Sequence, residues 1–125
     1  MNRILIADDE PHVLRVLKMS LEREGYQVEI CANGREALER IKVEHPDVLI
    51  TDIQMPLMDG EELCRSIDES FPDREFLIFV LTSRTEIEHR EWTRQFDNIQ
   101  FLEKPVSIRD LTDKLAQYRA GVAAS

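Results

Sequence analysis

The chain has 125 residues, of which 42% are hydrophobic and 33% charged, which suits one globular domain with a core of its own. A formal charge of −9 argues against a direct nucleic-acid binder, which needs a basic face, and leaves room for a cation site. No apolar run approaches the roughly 20 residues of a membrane span. Met1-Asn2-Arg3 leads straight into Ile4-Leu5-Ile6-Ala7 and then Asp8-Asp9-Glu10, which is not a signal peptide, so the expected location is the cytoplasm.

Residues 3–7 carry a continuous apolar run, as expected of a central parallel strand buried on both faces. Asp8-Asp9-Glu10-Pro11 stops it, and Pro11 suits the first turn of a helix, where its missing N–H costs nothing. Val13, Leu14, Val16, Leu17 and Leu21 supply the helical period, and Gly25 is the expected C-cap. Tyr26, Val28 and Ile30 alternate with Gln27 and Glu29, the pattern of a half-exposed edge strand. Cys31 follows; it forms no C-x-x-C pair with Cys64, zinc lacks a ligand set, and both thiols are expected to be reduced and partly buried. Asn33 and Glu36 form a capping box for a helix with Ala37, Leu38 and Ile41 inward, and His45-Pro46 ends it.

The stretch Asp47 to Leu63 is the most informative. It reads as a buried strand over residues 47–51 that ends on a carboxylate, Asp52, followed by a Met55-Pro56 turn and by Asp59-Gly60 opening a helix, with Glu62 at the capping-box position and Leu63 and Ile67 inward. Taken alone, Asp52 reads equally well as a strand-ending turn residue and as a chemical group. Phe71-Pro72-Asp73 is a turn, and Phe76 to Leu81 is a second unbroken apolar strand ending at Thr82-Ser83. Residues 85–96 predict a thinly apolar, largely exposed helix with Ile87, Trp92 and Phe96 on its inner side. Asn98 to Leu102 is mixed in polarity, hence an edge strand, and Lys104-Pro105 closes it. Ser107 with Asp110 caps a last helix, with Ile108, Leu111, Leu115 and Tyr118 inward. The domain is expected over residues 1–119, with 120–125 a disordered tail or the start of a linker.

The order is β-α five times over. Such alternation implies an α/β doubly wound, flavodoxin-like three-layer sandwich with a parallel five-stranded sheet and right-handed crossovers. Apolar strands one, three and four with mixed strands two and five fit the order 2-1-3-4-5. That order gathers Asp8, Asp9, Glu10, Asp52, Thr82, Ser83 and Lys104 at the carboxyl edge of the sheet, where ligands of such sheets bind. Carboxylates crowded together repel unless a cation intervenes. A hard divalent ion, Mg²⁺ or Mn²⁺, takes one or two of them, keeps waters and completes its shell with a phosphate oxygen. A lysine and a hydroxyl can hold the remaining oxygens. The set is what a phosphorylated carboxylate needs.

With these residues in place the chain resembles the response-regulator receiver domains of two-component signalling, the CheY-like superfamily. The resemblance covers about residues 2–119 and rests on Asp8-Asp9, on Asp52 with Met55-Pro56, Met58, Asp59 and Gly60, on Thr82, and on Lys104-Pro105. It implies that Asp52 is the phosphoacceptor for a sensor histidine kinase, a phosphotransfer protein or a small phosphodonor. Asp9, Asp52 and the Gln54 backbone carbonyl would ligate the metal, Asp8 would act through a bound water, and Lys104 and Thr82 would hold the phosphoryl oxygens. Phe101 would be the aromatic switch, and Lys104-Pro105 would be cis. The readout surface toward a downstream target, an output domain or a second copy would be formed by residues 85–96, the fifth strand and the last helix.

The sequence departs from the family at Phe96-Asp97-Asn98, where a Gly-Ala turn is common, and at Val106, where Phe is common. Gln54 and Arg84 stand where the family tunes water attack on the acyl phosphate. The resemblance implies a self-phosphorylating and self-dephosphorylating switch that turns over no external metabolite. Two other readings stay open. One is a pseudo-receiver that binds partners without phosphorylation. The other is an aspartyl-phosphate phosphatase, against which Gln54 counts, because such enzymes commonly place a second acid there. His12, His45 and His89 are expected at the surface, and Trp92 as packing or a partner anchor.

Overall fold

The computed structural model describes residues 3–83 and 98–124, with side chains of the last helix described as far as Tyr118. The expected helix over 85–96, with Trp92 and His89, and the tuning position Arg84 lie outside the described residues.

Five strands, β1 (Arg3–Ala7), β2 (Gln27–Cys31), β3 (Val48–Asp52), β4 (Leu77–Thr82) and β5 (Ile99–Glu103), form one parallel sheet in the order β2-β1-β3-β4-β5. Helices α1 (Pro11–Arg23), α2 (Gly34–Val43) and α3 (Gly60–Ser70) follow the first three strands, and a C-terminal helix spans Ile108–Ala124. The strand order is the one the apolar patterning predicts: β3 and β4 are buried along their whole length, whereas β2 and β5 are only partly so.

Alternation along the buried strands sends side chains to both faces, so the sheet separates two cores. On one face Ile4, Ile6, Ile50, Phe79 and Leu81 pack with Leu14, Leu17 and Leu21 of α1 and with Leu111 and Leu115 of the C-terminal helix. On the other, Leu5, Ala7, Leu49, Ile78 and Val80 pack with α2 and α3 through Ala37, Leu38, Ile41, Leu63 and Ile67. Burial of each such Leu or Ile contributes about 1.5–3 kcal/mol. Both cysteines are free and buried on this second side, where burial raises Cys31 to about 11 and Cys64 to about 12, so neither thiol is reactive.

The helix ends follow local chemistry. Pro11 stands at the start of α1, and Gly25, at φ +95°, follows its C-cap in the conformation glycine tolerates best. Asn33 Oδ1 accepts the Glu36 N–H at 2.9 Å, and Glu36 Oε2 returns to the Ala32 N–H at 3.1 Å. Asp59 Oδ1 accepts the Glu62 N–H at 2.8 Å. The C-terminal helix starts where Ser107 Oγ accepts the Asp110 N–H at 3.3 Å. It continues to Ala124, beyond the expected tail boundary at 120; alanines 120, 123 and 124 are strong helix formers that outweigh Gly121. At the edge, Glu29 of β2 is held by Arg3 at 2.8 Å and by Arg40 of α2 at 2.9 Å.

Leu115 is 1% exposed and Val43 is 88% exposed. Leu115→Ala is expected to cost about 2–5 kcal/mol and Val43→Ala to stay within about 0.5 kcal/mol, read by urea unfolding. Equal effects of the two would show that the C-terminal helix is not docked as described.

Candidate functional site

β1 and β3 are neighbours although β2 and two helices separate them in sequence, so the chain direction across the sheet reverses between them. Their register sets Ala7 opposite Thr51. The next residues, Asp8 and Asp52, therefore meet at the carboxyl edge of the sheet, in the crevice such a reversal opens. β4 pairs with β3 on the other side and with β5 beyond it, which brings Thr82 and then Lys104 to the same edge.

Asp52 is 4% exposed. Its Oδ1 accepts two bonds, from Lys104 Nζ at 2.6 Å and from the Ile53 N–H at 2.9 Å. The ammonium arrives on the short turn after β5: the Lys104 N–H donates to the Thr82 carbonyl at 2.7 Å, and the Lys104–Pro105 bond is cis. A charge-assisted bond of this length to a buried carboxylate is among the stronger polar interactions a protein makes.

Asp8 is fully buried. Its Oδ1 accepts the Glu10 N–H at 2.9 Å and so helps start α1, while Oδ2 is buried without a hydrogen-bond partner. Burial pushes its carboxyl up to about 6, the Glu10 N–H opposing; the charge of Asp52 adds to the rise and Lys104 offsets part of it. Asp9 and Glu10 are exposed beside it, and one carboxylate oxygen from each of Asp8, Asp9 and Glu10 lies within 4.8 Å of the others. Such an orphaned buried oxygen in a cluster of hard donors fits a divalent cation with oxygen ligands. Glu10 thus belongs with Asp8 and Asp9 in the acidic group, while Asp52 is held by Lys104.

Thr82 is buried at the end of β4, and its hydroxyl donates to the Ser83 carbonyl at 3.1 Å. Val80 is paired with Phe101, so the Phe101 ring and the Thr82 side chain share one face of the sheet. Phe101 is half-buried against the α2–α3 core. Gln54 is exposed on the loop that follows β3. Asn98, in the segment that departs from the family, takes φ +57°, a conformation asparagine tolerates, and its carbonyl accepts the Ile78 N–H at 2.8 Å. His12 and His45 are exposed; His45 stacks edge-on to Phe71, 4.6 Å between centroids, at the end of the sheet away from Asp52.

The structural roles of three residues escape a sequence reading. A Cβ at Gly60 would press into the Asp52 carbonyl oxygen and the Ile53 Cα, and one at Gly34 into the Met58 carbonyl. Thr51, buried on β3, donates its hydroxyl to the Asp52 carbonyl at 2.9 Å. The only signals were the dipeptides Asn33-Gly34 and Asp59-Gly60, which read as helix starts.

The family profile of the response regulator receiver domain matches residues 4–116. This chain belongs to that family. The receiver is 37% identical over 118 residues to the response regulator MprA of Mycolicibacterium vanbaalenii, covering 94% of this chain and 49% of that protein. The chain thus spans about half the length of the curated relatives it matches. Among solved structures it is similar to the chemotaxis protein CheY4 of Vibrio cholerae, with 29% identity, a TM-score of 0.83 and coverage of 94% of this chain and 98% of that one. It is also similar to the signal receiver domain of a signal transduction histidine kinase from Syntrophus aciditrophicus, with 32% identity, a TM-score of 0.85 and coverage of 100% and 95%. Among the described residues no helix is long and apolar enough to cross a membrane.

The Asp8 shift has a sign. Below the ordinary value of 3.8 the carboxyl is protonated in folded and unfolded receiver alike. Between 3.8 and about 6 the folded chain keeps the proton, so stability falls as pH rises, and above that range the full cost remains. A shift of this size is worth on the order of 3 kcal/mol. In EDTA, Asp8→Asn is therefore expected to unfold at higher urea than wild type at about pH 7.5 and to lose that advantage near pH 4. A variant no more stable than wild type at the higher pH would show that the ionised carboxylate is not the burden described.

Proposed function

We propose that this receiver is a phosphoacceptor switch of a two-component phosphorelay, charged at Asp52 from the phosphohistidine of a sensor histidine kinase or phosphotransfer protein. The observation that carries the reading is the Lys104 ammonium, 2.6 Å from the buried Asp52 carboxylate, at an edge shared with the orphaned oxygen of Asp8. Two donors on Oδ1 fix the plane of the Asp52 carboxyl group. An Asp52 oxygen then bonds to phosphorus as the phosphorus–nitrogen bond of the phosphohistidine breaks and the imidazole leaves with the electron pair. Lys104 follows the new charge onto a phosphoryl oxygen, and the Thr82 hydroxyl turns from the Ser83 carbonyl to another. Water attack on phosphorus later breaks the phosphorus–oxygen bond, releases phosphate and restores Asp52.

Asp9, Asp52 and the Gln54 carbonyl would hold Mg²⁺ or Mn²⁺, with Asp8 acting through a bound water. The cation, when bound, neutralises charge that otherwise repels an incoming phosphoryl group. The rotation of Thr82 vacates space on the sheet face it shares with Phe101. Inward movement of Phe101 would then alter β5 and the segments beside it, which meet a downstream protein, an output domain or a second copy. In this reading the chain catalyses only its own phosphorylation and dephosphorylation.

Incubation with acetyl phosphate and Mg²⁺, read by intact mass, is expected to add one phosphoryl group that is lost with EDTA and with Asp52→Asn. No adduct would favour a binding module that works without phosphorylation, and rapid turnover of a phosphate ester would favour a phosphatase. Arg84 is proposed to lean over the phosphoryl group and slow hydrolysis. Arg84→Ala should shorten the phosphoryl half-life, and an unchanged or longer one removes Arg84 from the account.

A further inference from the structure

The loop between β3 and α3, residues 53–59, is pinned at both ends by glycine N–H groups. The Gly60 N–H donates to the Ile53 carbonyl at 2.7 Å and the Gly34 N–H to the Met58 carbonyl at 3.0 Å. Between these pins the Met58 N–H donates to the Pro56 carbonyl at 2.7 Å, which closes a γ-turn centred on Leu57. Leu57 has φ +66°. This left-handed form of γ-turn is rare and strained, and a side chain persists in it only where the surroundings over-determine it. Packing of Leu57 itself does not do so, because the residue is 68% exposed.

The restraint comes from α2. Gly34 is buried at the first position of that helix, whose start is fixed by the reciprocal bonds of Asn33 and Glu36. An alanine Cβ at Gly34 would lie 2.5 Å from the Met58 carbonyl oxygen, closer than real Cβ atoms approach, and 3.1 Å from its carbon, a tight contact. We propose that Gly34 is a positioning residue of the metal and phosphoryl site: from α2 it holds the Leu57 turn, and with it the Gln54 backbone, in register with Asp52. The inference rests on the proposed function, in which the Gln54 carbonyl is a metal ligand. It makes the β2–α2 junction, which carries none of the acidic residues, a determinant of cation affinity.

The test is Mg²⁺ titration calorimetry on wild type and the variants below, with thermal unfolding in EDTA recorded for each. Gly34→Ala is expected to weaken Mg²⁺ binding on the order of tenfold or more, the usual effect of disturbing a residue that orients a metal ligand. Gly25→Ala is the control for lost stability alone, since that position has a positive φ but nothing within 4 Å of a new Cβ; it should bind Mg²⁺ as wild type does. The double variant Gly34→Ala/Leu57→Gly should recover part of the lost affinity, because glycine lets the displaced Met58 carbonyl be absorbed in the turn without moving Gln54. If Gly34→Ala alone does not fold, the same comparison is made between Leu57→Gly and the double variant, which should bind more weakly. Wild-type affinity in Gly34→Ala, equal loss in Gly25→Ala, or no recovery in the double variant each overturns the proposal. Wild type that fails to bind Mg²⁺ at all overturns the proposed function as well, which separates the two failures.

Discussion

Placing two carboxylates side by side at the end of a buried parallel sheet is the constraint to which the rest of this receiver answers. The register of β1 against β3 leaves no choice: once Ala7 lies opposite Thr51, Asp8 and Asp52 meet at the reversal point. Both are buried and repel. The fold offsets one of them with the Lys104 ammonium, delivered by the turn after β5, and leaves an oxygen of the other without a donor. The site is therefore electrostatically incomplete, and a cation bound there, as proposed, would offset the same buried charge that costs stability.

The surrounding architecture makes that arrangement stiff. β3 is buried along its whole length between β1 and β4, with a core on each face, so Asp52 cannot retreat from the charge beside it. The loop beyond it is equally confined, since Gly60 lies so close to the Asp52 carbonyl that a methyl group would not fit. Stiffness at one place and a small rotation at another is a workable division. In the proposed switch the Thr82 hydroxyl, which donates to the Ser83 carbonyl, would gain an alternative partner on a phosphoryl oxygen.

What the sequence made legible follows from how locally each feature is encoded. Unbroken apolar runs in β1, β3 and β4 and alternation in β2 suffice for the strand order, and Asn33 and Asp59 announce their helices by residue type and spacing alone. That Asp8, Asp52, Thr82 and Lys104 share one edge was readable because each ends a strand or directly follows one. The buried oxygen of Asp8 was not, since it depends on which neighbours fail to reach it. Nor was the clamp by Gly34: a glycine after an N-cap looks the same whether or not another carbonyl presses against its Cα. The helix past residue 120 was missed because a run of small residues lacks the apolar stripe by which helices are read, although alanine favours the conformation.

The ion pairs around Glu29 have a consequence for how this receiver can meet other chains. β2 is an edge of the sheet, and an edge presents unpaired backbone to any extended segment that approaches. Glu29 in its centre is tied to Arg3 of the neighbouring β1 and to Arg40 of α2, so this edge strand carries a charged, ion-paired cluster of the kind that blunts sheet edges. Sheet extension through this edge is thereby discouraged. Association on this side therefore favours side-chain contacts over added backbone pairing.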